Sequence, residues 1–167
     1  YKGKKVSIRS PKHAVEMGIG MVHQHFRLIP TLTAAENVFL YMPECKFILN
    51  KKEMEEQIGK WSKEFHLDVE PSALIWQLSV GEQQRVEIVK LLCRGADILI
   101  LDEPSAVLTA QEAKEMFHVL RRMADSGKSV VVISHKMNEV MEFADRITVL
   151  KGGEVEDTMP ASEATVE

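Results

Sequence analysis

Two adjacent carboxylates, Asp102 and Glu103, directly follow the apolar run Ile98 to Leu101. This run has the length and the β-branched content of a buried parallel strand, and the carboxyl end of such a strand is where α/β folds place their chemistry. Paired acids there suit chemistry in which one carboxylate holds a metal ion and the other takes the proton of a water molecule. A solvated acidic turn is the alternative interpretation.

A histidine occupies the corresponding place after a second apolar strand, Ser129 to Ile133, which ends in Ser134 and His135. A histidine at a strand end, opposite an acidic pair, suits contact with a phosphate group. Considered alone, His135 would be a hydrogen-bonded loop residue.

Gln24 follows a third predicted strand, Ile19 to His23, and precedes a long helical stretch. It is a candidate for the same sheet edge, and a polar loop residue is the alternative. His23 and His25 flank Gln24 and have no evident catalytic duty, so we interpret both as structural.

The block Leu78 to Val86 begins with a serine that has a glutamate three residues later, Ser79 and Glu82. This pattern is a capping box at the start of an amphipathic helix. Gly81 lies in the first turn, where backbone amides form the positive end of the helix and glycine lets an anion approach closely. The block predicts an anion site, with a plain helix start as the alternative.

Around these residues the predicted elements alternate between strand and helix, which implies parallel pairing of the strands. A helical stretch, Pro30 to Arg94, interrupts the alternation. Its helices are predicted to start at Thr33, Asn50 and Ser79, each followed by an acid three residues later. The predicted strands are 5–8, 19–23, 97–102, 129–133, 146–150 and, after the Gly152-Gly153 turn, 154–158; the other predicted helices are 11–17, 109–126 and 136–144.

The sequence Leu-Ser-Val-Gly-Glu-Gln-Gln-Arg-Val at 78–86 is similar to the signature of ABC-type ATPases, and 98–104 to their acidic strand end. The resemblance spans Lys4 to Gly153. Val80 and Glu82 stand where many members carry glycine and glutamine, and these two departures resemble the importers for simple sugars and nucleosides. Thr109, in place of an aspartate, resembles the first ATPase domain of tandem importers of this kind.

The resemblance implies a role for each candidate residue, with ATP and Mg²⁺ as the cofactors. Asp102 is expected to hold Mg²⁺. Gln24 is expected to contact both this Mg²⁺ and the γ-phosphate. Glu103 is expected to be the general base that polarises the attacking water. His135 is expected to contact the γ-phosphate. The signature loop is expected to bind ATP held by the opposite subunit of a head-to-tail pair of ATPase domains. Its residues are Ser79, Val80, Gly81 and Glu82.

The implied fold is α/β, an incomplete P-loop NTPase core of the ABC type with a parallel sheet and an α-helical insert. We predict an ATPase core at 1–29 and 95–167 and a helical signature subdomain at 30–94. The Gly-x-x-x-x-Gly-Lys-Ser/Thr loop that would cradle phosphates does not occur in the sequence, which begins at Tyr1. We therefore interpret the chain as an internal piece of a longer protein, inactive by itself.

The leading functional hypothesis is the ATP-hydrolysing part of an ABC importer for nucleosides or simple sugars, docked on transmembrane permease subunits. One alternative is a non-catalytic coupling module that supplies the signature loop in trans. A less favoured alternative is a non-transport ABC ATPase, because such proteins generally carry coiled coils or basic linkers.

Composition agrees with a soluble domain that reaches a membrane only through a partner. Of the 167 residues, 45% are hydrophobic and 28% charged, and runs such as Val130 to Ile133 are far shorter than the roughly 20 residues that cross a bilayer. Cys45 and Cys93 show no metal or redox spacing, which fits a reducing cytosol and the cytoplasmic face of the cell membrane. The basic residues form too narrow a group to predict nucleic-acid binding.

Overall fold

The computed structural model describes residues 1–24, 26–40, 42 and 51–165. Three strands form a parallel sheet in the order β1 (Ile19–Val22), β2 (Ile98–Asp102) and β3 (Ser129–Ile133). The register pairs Val22 with Leu101, and Leu101 with Val132. The carboxyl ends of all three strands therefore lie at one edge of the sheet.

Six helices surround or interrupt this sheet within the described ranges. They are α1 (Pro11–Glu16), α2 (Ala34–Phe39), α3 (Lys51–Glu64), α4 (Val80–Cys93), α5 (Ala110–Asp125) and α6 (Met137–Phe143), with short 3₁₀ turns at Ile75–Gln77 and Ala161–Glu163. None of them is long and apolar enough to cross a membrane.

Four of these helices begin as the sequence predicts, because their first turns are capped by local side chains. Ser10, Thr33, Ser79 and Thr109 each accept a hydrogen bond from the backbone amide three residues later. At the last three, a glutamate returns the bond and completes the capping box. The helix start predicted at Asn50 lies outside the described residues.

The last two strands, β4 (Arg146–Lys151) and β5 (Glu154–Pro160), form a separate antiparallel hairpin. Parallel pairing of β4 with the main sheet was expected from the alternation of elements, and this expectation is wrong. Gly152 and Gly153 both have positive φ angles, 60° and 87°, which allow a two-residue turn that L side chains disfavour. The turn brings β5 alongside β4, which satisfies the hydrogen bonds of β4 locally.

The strand predicted at 5–8 is also absent, and this segment has no regular structure. Its apolar side chains do not reach the core, since Val6 and Ile8 are 43% and 52% exposed. An apolar alternation makes a strand only where a neighbouring strand takes up its backbone hydrogen bonds.

The two faces of the parallel sheet differ in burial. One face packs on α4 and α5 and includes Leu99 and Leu101, which are fully buried. On this face β1 and α4 approach so closely that a Cβ on Gly20 would lie 3.0 Å from a methyl carbon of Leu91. The opposite face carries Met21, Val131 and Ile133, all more than one third exposed. We call these the covered face and the open face.

Candidate functional site

Glu103 is the first residue after β2 and has a left-handed backbone, with a φ of 49°. A non-glycine residue in this region is strained, and such strain is concentrated at functional sites. The backbone amide of Glu103 donates a 2.9 Å hydrogen bond to the carbonyl of Ile133, the last residue of β3. This bond fixes the turn to the neighbouring strand and directs the Glu103 side chain at the sheet edge.

The two carboxylate oxygens of Glu103 have different surroundings. Oε1 lies 2.8 Å from Nδ1 of His135, and this distance is that of a hydrogen bond between the imidazole ring and the carboxyl group. Oε2 is buried and has no hydrogen-bond partner among the described residues. A buried oxygen without a donor is uncommon in proteins. His135 therefore orients the carboxyl group of Glu103 through one of its two oxygens.

Asp102 and Gln24 lie at the same edge as Glu103 and His135. Asp102 ends β2 and pairs in register with Ile133. Gln24 is exposed and follows the end of β1 by two residues, and β1 lies beside β2 with Val22 paired to Leu101. The structure thus gathers at one edge the four residues that the sequence offered as catalytic or metal-binding.

The oxygen donors at this edge fit a magnesium ion that arrives with a nucleotide. Within the described ranges, no group of three or more His, Cys, Asp or Glu side chains could hold a metal by itself. Magnesium in phosphate-binding sites is held by one or two protein oxygens, with phosphates and water completing the shell. Asp102 and Gln24 can supply such oxygens. They do not form a coordination shell made only of protein ligands.

The signature residues lie apart from these four, at the amino end of α4. The amide of Ser79 donates to Oε2 of Glu82 at 2.7 Å, and the amide of Glu82 donates to Oγ of Ser79 at 3.3 Å. The capping box uses these two amides. The amides of Val80 and Gly81 belong to the first helical turn, which has no intrahelical acceptors, and so can bind an anion.

Gly81 also allows α5 to start against α4. A Cβ at this position would lie 3.1 Å from Oε1 of Glu112 and 3.6 Å from a methyl carbon of Leu108. The signature loop is therefore packed against the segment that links Glu103 to α5. His25, one of the two histidines interpreted as structural, lies outside the described residues.

Acid is expected to weaken the start of α4. The backbone amide of Ser79, followed by its hydroxyl, lowers the pKa of Glu82 below its ordinary value of 4.5, and partial burial opposes this. Because the pKa of Glu82 is lower in the folded state, the unfolded chain binds more protons than the folded chain. The stabilisation by Glu82 is therefore present above pH 4.5 and is lost as the pH falls through the lower folded-state pKa.

We expect the stability of Glu82→Gln, measured as the urea midpoint, to depend less on pH than that of wild type between about pH 6 and pH 3. Parallel curves for the two proteins would contradict this.

Three contacts that the sequence analysis did not predict hold the segment after Glu103. Nζ of Lys136 donates to the Ser105 carbonyl at 2.7 Å, and the Ser105 hydroxyl donates to Glu139. Nε2 of Gln84, a buried residue of α4, donates to the Pro104 carbonyl at 2.9 Å. Residue type and spacing carried no signal for the first two contacts. Gln84 lies within the signature block, but nothing in the block indicates its partner.

Comparison with known proteins gives one consistent result. The family model described as ABC transporter matches residues 1–106. The chain is 47% identical over 98% of its length to the nucleoside import ATP-binding protein NupA of Lactococcus lactis, and 42% identical over 91% to the ribose import ATP-binding protein RbsA of Caldanaerobacter subterraneus. It spans 33% and 31% of these two proteins, or about one third of their length.

Solved structures agree with the sequence relatives. The dimeric structure of the bacterial ABC transporter cassette MJ0796 superposes with a TM-score of 0.73 at 31% identity, over 92% of this chain and 68% of that one. A second structure of the same cassette is described as a post-hydrolysis state bound to ADP and Pi. The fold is that of the ABC ATPase cassettes, and the chain belongs to the ABC transporter family.

Proposed function

We propose that this chain is the part of an importer's ATP-binding subunit that senses and hydrolyses ATP, and that the imported solute is a nucleoside or a simple sugar. The names of the relatives support this solute class, since they describe nucleoside and ribose import ATP-binding proteins. The strained, His135-bonded Glu103 supports hydrolysis, and it is the single observation that carries the proposal.

In the proposed mechanism, the carboxylate of Glu103 accepts the proton of the attacking water. His135 holds Oε1 of the same carboxylate, its ring is exposed at the sheet edge, and in this proposal it contacts the γ-phosphate. Asp102 and Gln24 would hold Mg²⁺, which when bound neutralises the phosphate charge that builds up during transfer.

The signature loop acts in a second ATP site in this proposal. Val80 and Gly81 offer amides at a helix N-terminus to the γ-phosphate of ATP held by another ATPase domain, and the Ser79 hydroxyl lies beside them. The dimeric structure of the cassette MJ0796 supports a pair of ATPase domains, and the head-to-tail arrangement of the pair is part of the proposal. The predicted division into a core, 1–29 and 95–167, and a helical subdomain, 30–94, stays part of the proposal.

We further propose that the subunit docks on a transmembrane permease at the cytoplasmic face of the membrane. The import function named for the relatives supports this, because import requires a protein that spans the bilayer. No nucleic-acid partner is part of the proposal.

The proposal is tested on the gene product that carries this sequence. We expect the purified protein to hydrolyse ATP in the presence of Mg²⁺ and to stop when EDTA removes the metal. We expect a strain without the gene to lose uptake of one labelled nucleoside or simple sugar, and a plasmid copy to restore it. The absence of ATP hydrolysis, or undiminished uptake of every solute of both classes, would contradict the proposed function.

A further inference from the structure

The segment that follows Gln24 is held by two buried polar side chains. Oε1 of Glu87, a residue of α4 that is 5% exposed, accepts a 2.8 Å hydrogen bond from the backbone amide of Arg27. Asn37 of α2 is fully buried, and its Oδ1 accepts from the amide of Ile29 at 2.7 Å while its Nδ2 donates to the Ile29 carbonyl at 3.1 Å. Main-chain groups of this segment therefore depend on side chains from two helices.

Packing alone does not require a charge at position 87. Glu87 forms an ion pair with Lys90, and both side chains are less than one tenth exposed. Taking two charges out of water is costly, and apolar residues of similar volume often stabilise a protein as well as a buried pair does. An apolar residue could not, however, accept the hydrogen bond of the Arg27 amide. This bond is the property that distinguishes Glu87 from a packing residue.

Gln24 lies between two positions at which the chain contacts α4, one by packing and one by a hydrogen bond. Before it, Gly20 of β1 packs on Leu91. After it, Arg27 is bonded to Glu87. The other end of α4 carries the signature loop, and a helix of 14 residues is a rod about 21 Å long. One rigid element thus joins the segment around Gln24 to the signature loop.

We propose that Glu87 is a positioning residue, assisted by Asn37, which holds Gln24 in a fixed position relative to the amino end of α4. In this role Glu87 keeps the segment around Gln24 and the signature loop, the two parts that the proposed function places in contact with ATP, at a constant distance from each other. The inference rests on the proposed function, which assigns ATP contacts to both parts.

The test uses two double variants, of which one keeps a hydrogen-bond acceptor at position 87 and the other does not. Glu87→Met with Lys90→Met removes the ion pair and the acceptor together, and leaves no unpaired buried charge at either position. Glu87→Gln with Lys90→Met also removes the pair but keeps an oxygen for the Arg27 amide. Equal urea midpoints for the two would show that any difference in behaviour does not come from unfolding.

Hydrogen exchange of the Arg27 amide reports on the bond itself in the 167-residue chain. We expect exchange in the Met/Met variant to be about tenfold faster than in wild type, the factor expected for a hydrogen bond of about 1.4 kcal/mol. We expect the Gln/Met variant to stay within about twofold of wild type. Unchanged protection in the Met/Met variant would overturn the inference.

ATP hydrolysis by the gene product that carries the sequence reports on function. We expect the Met/Met variant to lose about tenfold in kcat with little change in KM, because displaced catalytic groups slow the chemical step more than they weaken binding. The Gln/Met variant is expected to recover most of the rate. Equal kcat values for the two variants would overturn the inference while leaving the proposed function in place; an inactive wild type would instead overturn the proposed function.

Discussion

Glu103→Gln is expected to lower the kcat of ATP hydrolysis by about 10²- to 10⁴-fold and to leave ATP binding intact. The glutamine is isosteric and its amide oxygen can still accept the bond from His135, so the strained turn and its neighbours stay in place. A carboxamide, however, is not basic enough to take a proton from the attacking water. Steady-state hydrolysis and nucleotide titration on the gene product that carries this sequence measure the two effects separately.

A matched control for this exchange is Glu156→Gln, which makes the same chemical change on an exposed residue of β5. We expect the control to hydrolyse ATP at the wild-type rate. Full activity of the Glu103 variant would remove this residue from the role of general base. Loss of both hydrolysis and binding would mean that the side chain serves the structure of the site and not the proton transfer.

Leu99→Ala is expected to lower the free energy of unfolding by about 2 to 5 kcal/mol. Leu99 is the fully buried centre of β2, on the covered face of the sheet, where its neighbours come from both flanking strands and the packed helices. Removing its branched end leaves a cavity that β-strands held on both sides cannot collapse to fill. Urea unfolding of the 167-residue chain measures the change.

The open face provides the comparison. Val131 lies on the adjacent strand β3, opposite Ile100, and is 49% exposed. Val131→Ala is expected to cost less than about 1 kcal/mol, because little apolar surface is removed from contact. Similar losses for the two variants would mean that the two faces are equally covered in solution, and that the burial difference described for the sheet is wrong.

The sequence alone was sufficient for features whose interactions are local. A capping box joins residues three apart, so Ser79 with Glu82 and Thr109 with Glu112 could be identified from spacing. The three strands of the parallel sheet were predicted from short apolar runs, because a buried strand needs little more than apolar residues of the right length. Since parallel strands end at one edge, the sequence also predicted that Glu103 and His135 lie near each other, and their hydrogen bond agrees with this.

The sequence could not determine interactions between residues that are far apart along the chain. The hydrogen bond from His135 to Glu103 spans 32 residues, and that from Arg27 to Glu87 spans 60. Pairing of strands is also a long-range property. Competition among distant backbone groups for hydrogen bonds determines whether residues 5–8 form a strand, and whether β4 pairs with the main sheet or with β5. Local patterns fix where an element can form. The choice of its partners depends on how the packed chain excludes water from each group, and the buried acceptor at Glu87 is an example.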